Sequence, residues 1–152
     1  MEDFKNILYP IALNEISPRV VPYVVTLAKQ LDAQVHLLHV LRPFEWFVDT
    51  YVPDPPKPDF KRIASDFENQ ILLQAQQKLE SFKQQHFKGI QIANAIVVTG
   101  THYKEILDYA ESEGIDLIIM GTGSTLKRVM FGSVAEKVSR LATVPVMLIK
   151  SN

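Results

Sequence analysis

Residues 117–149 read LIIMGTGSTLKRVMFGSVAEKVSRLATVPVMLI, in which two short apolar runs flank a glycine-rich turn and an amphipathic segment. The runs Leu117–Met120 and Val146–Ile149 do not alternate with polar residues, which is typical of strands that are covered on both faces. Between them, Val134 and Val138 lie four residues apart, on one face of a predicted helix. The stretch therefore predicts a strand–helix–strand unit, and strands joined in this way run parallel in an α/β sheet.

The same alternation continues through the rest of the chain. Further strand-like runs occupy residues 7–9, 35–40 and 92–98, and apolar residues recur at helical spacing over residues 20–31, 63–82 and 106–110. We therefore predict one α/β domain over residues 1–152, a Rossmann-like open parallel sheet of five strands with helices on both faces. Ser17 and Pro18 suit the N-cap and the first position of the first helix. Pro22 does not suit its interior, so the regular part either begins near Val21 or bends there.

A proline-rich stretch at about residues 41–59 interrupts this alternation. It combines five prolines with Phe44, Trp46, Phe47 and Tyr51, and that proline density argues against a regular helix or a central strand. The pattern predicts a long loop with two interpretations. Its aromatic side chains could pack on the domain or on a partner, or the loop could form a flap over a ligand.

Composition narrows the classes of function. The chain has 152 residues, a formal net charge of −1 and no cysteine. The absence of cysteine excludes disulfides, thiolate nucleophiles, iron–sulfur clusters and cysteine zinc sites. The near-zero charge argues against binding to nucleic acid, and no apolar run approaches the roughly 20 residues of a membrane helix. The start of the chain lacks the features of a secretory signal, so we expect a cytoplasmic protein.

The glycine-rich segment at residues 121–133 is the strongest candidate for a binding site. In an open parallel sheet, ligands bind beyond the carboxyl ends of the strands. Gly121 and Gly123 would let backbone N–H groups approach an anion. Gly132 and Ser133 would open a helix whose N-terminus favours a phosphate. On spacing alone, a tight turn followed by Ser133 as an N-cap is an equal alternative.

Other polar residues offer little catalytic chemistry. His36 and His39 are three residues apart on a predicted strand, so they face opposite sides and cannot bind one metal ion together. His102, at the start of the third helix, could contact a ligand or simply cap the helix. Lys127 and Arg128 could screen a phosphate or lie on a solvated turn. We therefore predict no catalytic residue and no metal ligand, and the Gly-x-Ser-x-Gly motif of hydrolases is absent.

Several stretches together resemble the universal stress protein family. They are Leu38–Val40, Lys104–Leu107, Gly114–Gly121, Gly132–Val138 and Val144–Val146, and the resemblance covers nearly the whole chain. It implies strand order 3-2-1-4-5, as in the adenine nucleotide alpha hydrolase-like fold, and a homodimer joined along the last strand. The uncharged run Val146–Ile149 supports such a dimer independently, since a bare edge strand is normally paired or protected.

The family resemblance also bears on nucleotide binding. One branch of the family binds ATP through a Gly-x2-Gly-x9-Gly-Ser/Thr motif, and another branch lacks the motif and does not bind ATP. In this chain both gaps of the motif are one residue shorter, and Ala12 stands where the ATP-binding branch carries an aspartate that contacts adenine. The resemblance implies that a site would be lined by Pro10, Val40, Met120, Gly121, Gly123, Gly132, Ser133 and Val134.

Three hypotheses about function follow from this resemblance. The first is a dimeric regulatory protein of the stress response that binds ATP, AMP or another adenine nucleotide, which Mg²⁺ could accompany, and that hydrolyses ATP slowly at most. The second is a nucleotide-independent family member that acts as a dimeric scaffold or partner-binding module, which the missing aspartate favours. The third is an enzyme on a related fold, such as an ATP pyrophosphatase or an electron-transfer flavoprotein. Residues 12–15 argue against the pyrophosphatase, because they lack its phosphate loop.

Overall fold

The computed structural model describes residues 3–12, 17–45, 58–122 and 132–150. In chain order its elements are β1 (Asn6–Pro10), α1 (Ser17–Leu31), β2 (Gln34–Leu41), α2 (Pro58–His86), β3 (Ile92–Thr99), α3 (His102–Ser112), β4 (Leu117–Gly121), α4 (Ser133–Leu141) and β5 (Val146–Ile149). Strands and helices alternate, as the apolar runs predict. Within these ranges, no helix has the length and apolar character needed to cross a membrane.

The five strands form one parallel sheet in the order β3-β2-β1-β4-β5. This confirms the predicted strand order and the open α/β architecture. β1 lies in the centre and is hydrogen-bonded to β2 on one side and to β4 on the other. Because the chain leaves β1 in one direction along the sheet and later crosses to its other side, the carboxyl ends of β1 and β4 form the topological switch point.

Helices cover both faces of the sheet. On one face α1 and α2 pack against a buried cluster that includes Ile7, Tyr9 and Leu37. On the other face α3 and α4 pack against a cluster that includes Leu8 and Ile118. Successive residues of a strand point to opposite faces, so β1 contributes to both clusters. Burying one such side chain stabilises the fold by about 1.5–3 kcal/mol, and β1 is thereby held in the middle layer.

The start of α1 agrees with one sequence-based boundary, and the start of α2 differs from its own. α1 begins at Ser17, where Ser17 and Pro18 predict a helix start, and it contains Pro22, so the alternative in which its regular part begins near Val21 is wrong. The helix packs on the sheet through buried valines on both sides of Pro22, which offsets the hydrogen bond that proline cannot donate. α2 begins at Pro58, inside the stretch predicted to be a loop, because proline is well tolerated in the first turn of a helix. Residues 46–57 of that stretch lie outside the described residues.

Hydrogen bonds close the amino end of the sheet. Asp116, just before β4, accepts hydrogen bonds at Oδ2 from the N–H groups of Lys5 at 2.9 Å and Asn6 at 2.8 Å. Gly114, between α3 and β4, has a φ of +61°, which glycine adopts at little cost. These contacts join the start of β1 to the start of β4. The two strands that meet at the switch point are therefore fixed relative to each other at their far ends.

Candidate functional site

A cavity of about 280 Å³ lies at the switch point, beyond the carboxyl ends of β1 and β4. Its walls come from β1 and the residues after it, from β2, from β4 and the residue after it, from α1, and from the first turns of α3 and α4. The lining residues within the described ranges are Tyr9, Pro10, Ile11, Ala12, Val20, Leu38, Val40, His102, Ile106, Met120, Gly121, Thr122, Gly132, Ser133, Val134 and Ala135. The volume is close to the lower end of the range for small-molecule sites, about 300–1,000 Å³.

One wall of the cavity is apolar. Leu38 and Val40 of β2, Ile106 of α3 and Met120 of β4 are all buried, and they belong to the cluster between the sheet and the α3–α4 layer. Their packing within this cluster holds the side chains in place. The wall can therefore take up a planar, uncharged ring without the cost of burying a charge.

A second part of the wall is formed by backbone at the start of α4. Gly132 is the N-cap, with φ −54° and ψ 143°, and no side chain among the described residues caps the helix. Its N–H donates to the Thr122 carbonyl oxygen at 3.3 Å, and a Cβ at this position would lie 3.2 Å from the same oxygen. Gly132 thus lets α4 begin directly beside the end of β4. Since no side chain of the described ranges caps them, the first N–H groups of α4 are suited to bind an anion.

Ser133 does not cap α4. The alternative that assigns it the N-cap is wrong, because Ser133 is the first residue of the helix and Gly132 occupies the cap position. An N-cap residue keeps an extended backbone, and in this chain it is Gly132 that does so. The exposed Ser133 lines the cavity, where its hydroxyl is available to a ligand.

Hydrogen bonds to β2 hold the residues that follow β1. The Ile11 N–H donates to the Leu38 carbonyl oxygen at 2.8 Å, and His39 Nδ1 donates to the Ile11 carbonyl oxygen at 2.6 Å. Burial lowers the pKa of His39, while the bond to Ile11 acts in the opposite direction. These bonds lead the chain to Ala12, which lines the cavity. The methyl side chain of Ala12 provides no polar atom there.

His102 supplies an imidazole to the same cavity. It is the first residue of α3, and its Nδ1 atom is buried without a hydrogen-bond partner among the described residues. Burial lowers the pKa of His102, and the positive charge of Arg42 and the neighbouring His39 lower it further, while the Val40 carbonyl raises it. These effects favour the neutral imidazole at pH 7. Because Nδ1 has no partner among the described residues, it is Nε2 that donates to the Val40 carbonyl oxygen, and Nδ1 is left as an acceptor.

Most of the residues predicted to line a binding site are brought together by the fold. Pro10, Val40, Met120, Gly121, Gly132, Ser133 and Val134 all lie on the cavity wall. Gly123, Lys127 and Arg128 lie outside the described residues. That the residues on the wall contact a ligand stays a prediction.

Several wall residues were not predicted. Tyr9, Leu38 and Ile106 belong to apolar runs that indicate core, and no sequence signal separates them from other core residues. Thr122 could have been found, because it lies inside the glycine-rich segment. For His102 the sequence predicts either a ligand contact or a helix cap, and its place on the cavity wall agrees with the first alternative.

The two histidines of β2 face opposite sides of the sheet, as predicted. His36 bonds to Tyr109 of α3 on one face, and His39 bonds to the Ile11 carbonyl on the other. Across the described ranges, no group of three His, Asp or Glu side chains is arranged to hold a metal ion.

The described beginning of the proline-rich stretch packs on α2. The Phe44 ring meets the Phe67 ring edge to face, with 5.8 Å between the ring centroids. Both rings, together with Leu41 and Ile71, line a second apolar cavity of about 330 Å³ between β2 and α2. For Phe44, this agrees with the interpretation in which aromatic residues of the stretch pack on the domain. The other aromatic residues of the stretch lie within residues 46–57, outside the described residues.

The fold and the cavity together define an open parallel α/β protein with a small-molecule cavity at its switch point. The model of the universal stress protein family matches residues 3–150. The chain therefore belongs to the universal stress protein family.

Individual relatives agree with this assignment. The chain is 32% identical to universal stress protein YxiE of Bacillus subtilis, over 97% of this chain and 99% of the relative. It is 30% identical to universal stress protein MJ0577 of Methanocaldococcus jannaschii, over 97% and 95% of the two chains. The solved structure of MJ0577 superposes with a TM-score of 0.81, covering 99% of each chain. A universal stress protein from Archaeoglobus fulgidus, solved in complex with dAMP, shares the fold at 20% identity, with a TM-score of 0.57 over 98% of this chain and 100% of that one.

Proposed function

We propose that this universal stress protein binds an adenine nucleotide, ATP or AMP, in the cavity between β1 and β4, and acts as a regulatory protein of the stress response. The observation that carries the proposal is that an apolar wall and the N-terminus of α4, which no described side chain caps, meet in one cavity. A nucleobase requires the first and a phosphate the second. The dAMP complex of a relative with the same fold supports the choice of an adenine nucleotide.

In this proposal the base and the phosphates of the nucleotide contact different parts of the cavity wall. The base lies against Val40 and Met120, which offer an uncharged surface. The phosphates lie toward Gly132 and Ser133, where the dipole of α4 and its first N–H groups favour negative charge. Mg²⁺ could accompany the phosphates, because a nucleotide carries its own oxygen ligands for this ion.

Ala12 sets the expected strength of binding. A site that lacks one hydrogen-bond partner for a polar ligand loses about 1–3 kcal/mol, which corresponds to about a 5- to 150-fold weaker affinity. We therefore expect weaker binding than in a relative that carries an aspartate at this position.

Calorimetric titration of the purified protein tests the proposal directly. ATP, ADP and AMP are titrated with and without Mg²⁺, and GTP serves as the control ligand. We expect saturable heat with one site per chain for at least one adenine nucleotide, and weaker binding of GTP. If no adenine nucleotide gives heat or a shift in melting temperature at millimolar concentration, the proposal is wrong.

The Ala12→Asp variant adds a gain-of-function test. A carboxylate on the cavity wall near the base should tighten the binding of adenine nucleotides by about 5- to 150-fold. The matched control is Thr26→Asp, which adds the same charge on an exposed position of α1 away from the cavity wall. We expect no change in affinity for this control. Equal affinities in both variants would contradict the proposed position of the base.

A nucleotide-independent scaffold is the second candidate function. Ala12 supports it, because the residue leaves the cavity without the carboxylate that the ATP-binding branch of the family uses. Mass spectrometry and absorbance of the protein as purified separate the two candidates. Nucleotide that copurifies with the protein would count against the scaffold.

We further propose that the protein forms a homodimer along β5. Among the described strands, β5 pairs with β4 alone. The Pro145 and Ile149 carbonyl oxygens accept bonds from β4, so the N–H and C=O groups of residues 146 and 148 face the open edge. Next to this edge, 36% of Met147 is exposed. An uncharged edge of this kind is complementary to a second copy of itself.

Light scattering after size exclusion measures this dimer. We expect the wild-type protein to elute with twice the mass of one chain. Met147→Glu should shift it toward the monomer, because pairing of two edges would bring two like charges together. Leu73→Glu is the matched control, since Leu73 is an apolar residue on α2 with 56% of its surface exposed. A monomeric wild type, or a dimer that Met147→Glu leaves intact, would refute this interface.

A further inference from the structure

His102, a residue of the cavity wall, carries a polar atom without a partner. The Nδ1 atom of His102 is buried and has no hydrogen-bond partner among the described residues. Such atoms are uncommon in folded proteins, because a buried nitrogen that has lost its water and gained no partner destabilises the fold. Since His102 lines the cavity, a ligand that brings a hydrogen-bond donor to Nδ1 would remove this cost.

The surroundings of His102 favour an uncharged partner. Val40 and Ile106, which line the cavity with it, are buried apolar side chains. Burial and the charge of Arg42 both lower the pKa of the imidazole, so the ring offers hydrogen bonds and no net charge at pH 7. The other ring nitrogen, Nε2, donates to the Val40 carbonyl oxygen, so Nδ1 of the neutral ring is an acceptor. An ionised phosphate oxygen has no hydrogen to donate to this atom, whereas the amino group on the edge of adenine is a neutral donor that suits it.

We propose that His102 hydrogen-bonds to the edge of the base of the bound nucleotide and so supplies polar recognition that Ala12 does not. This inference rests on the proposed nucleotide binding and adds a specificity-determining residue to it. The phosphates lie at Gly132 and Ser133 in the same proposal. His102 therefore contributes equally to ligands with and without phosphates.

Calorimetric titration of adenosine, AMP and ATP separates a base contact from a phosphate contact. His102→Ala should weaken all three ligands by the same factor, about two- to tenfold, which is the effect of one neutral hydrogen bond. His102→Asn keeps a donor and an acceptor and should retain more affinity than His102→Ala. His86→Ala is the matched control, because His86 ends α2, packs on Phe82 and does not line the cavity. We expect wild-type affinities for it.

Each outcome has one meaning. Unchanged affinities in His102→Ala, with an unchanged circular dichroism spectrum and melting curve, overturn the inference and leave nucleotide binding standing. A loss that grows with the number of phosphates and is absent for adenosine also overturns it, since the ring would then contact the phosphates. A wild-type protein that binds none of the three ligands overturns the proposed function and this inference with it. If His102→Ala fails to fold, His102→Phe decides, because it keeps an aromatic ring and removes both nitrogens: an equal loss for all three ligands supports a base contact, and no loss or an unequal loss refutes it.

Discussion

A buried chain of hydrogen bonds links β1, β2 and α3 at the amino end of the sheet. His36 has only 5% of its surface exposed, and its Nε2 lies 3.0 Å from Asn6 Oδ1, an atom that can only accept. Nε2 therefore donates, and Nδ1 accepts a hydrogen bond from the Tyr109 hydroxyl at 2.8 Å. Tyr109→Phe removes this hydroxyl and leaves Nδ1 without a partner.

The cost of this change can be worked out from the contacts. Leaving a buried acceptor unpaired destabilises a protein by about 1–3 kcal/mol. In a chain of this size, 1 kcal/mol lowers the melting temperature by about 2–4 °C, so we expect a decrease of about 2–12 °C. Urea denaturation and thermal melting at pH 7.5, followed by circular dichroism, measure both quantities. Tyr103→Phe, the same change on the same helix, is the control, because a Lys137 cation–π contact on the ring would persist.

A double-mutant cycle makes the prediction refutable. In a His36→Leu background the Tyr109 hydroxyl has already lost its acceptor, so Tyr109→Phe should cost less than it does in the wild type. We expect a coupling energy of about 0.5–3 kcal/mol between the two positions. If Tyr109→Phe changes the free energy of unfolding by less than about 0.5 kcal/mol, or if the two substitutions are additive, the hydrogen bond does not stabilise the fold in the way described.

Three further predictions concern other parts of the molecule. Gly132→Ala places a Cβ 3.2 Å from the Thr122 carbonyl oxygen, so the start of α4 has to shift slightly. We expect calorimetry to show weaker nucleotide binding, and thermal melting to show little change in the melting temperature. Burial lowers the pKa of His36, so below pH 6.5 the unfolded chain binds more protons at this residue than the folded protein does. Urea denaturation should therefore show that the free energy of unfolding decreases as the pH falls from 6.5 toward the lowered pKa. For this group the decrease is at most about 1.4 kcal/mol per pH unit. Asp116→Asn keeps an oxygen acceptor for the Asn6 N–H and should cost less stability than Asp116→Ala, which leaves that donor unpaired, in the same denaturation assay.

The strands were predictable because they are continuous apolar runs. Leu117–Met120 and Val146–Ile149 do not alternate with polar residues. A strand that helices cover on both faces needs apolar residues at successive positions, because its side chains point to both faces in turn. The start of α1 was not predictable from Pro22 alone. A proline weakens a helix locally, but the burial of Val20 and Val24 against the sheet outweighs that local cost.

The site was predictable only in part. The glycine-rich segment and the resemblance pointed to the wall residues Gly121 and Gly132, because a close backbone approach requires glycine. The capping of α4 was not predictable, since Gly132 and Ser133 are both common N-caps and only the backbone angles distinguish them. The unpaired Nδ1 of His102 depends on which residues surround the ring, and they come from other parts of the chain.

The amino-acid sequence by itself determined the alternation of strands and helices, the membership of a parallel α/β class and the family to which the chain belongs. These properties depend on local periodicity and on short motifs, which are written along the chain. Tertiary structure decided which residues share the cavity, because Ala12, Val40, His102 and Gly132 are far apart in sequence and meet only when β1, β2 and β4 are paired. It also lowered the pKa of His102, because desolvation and neighbouring charge act through space.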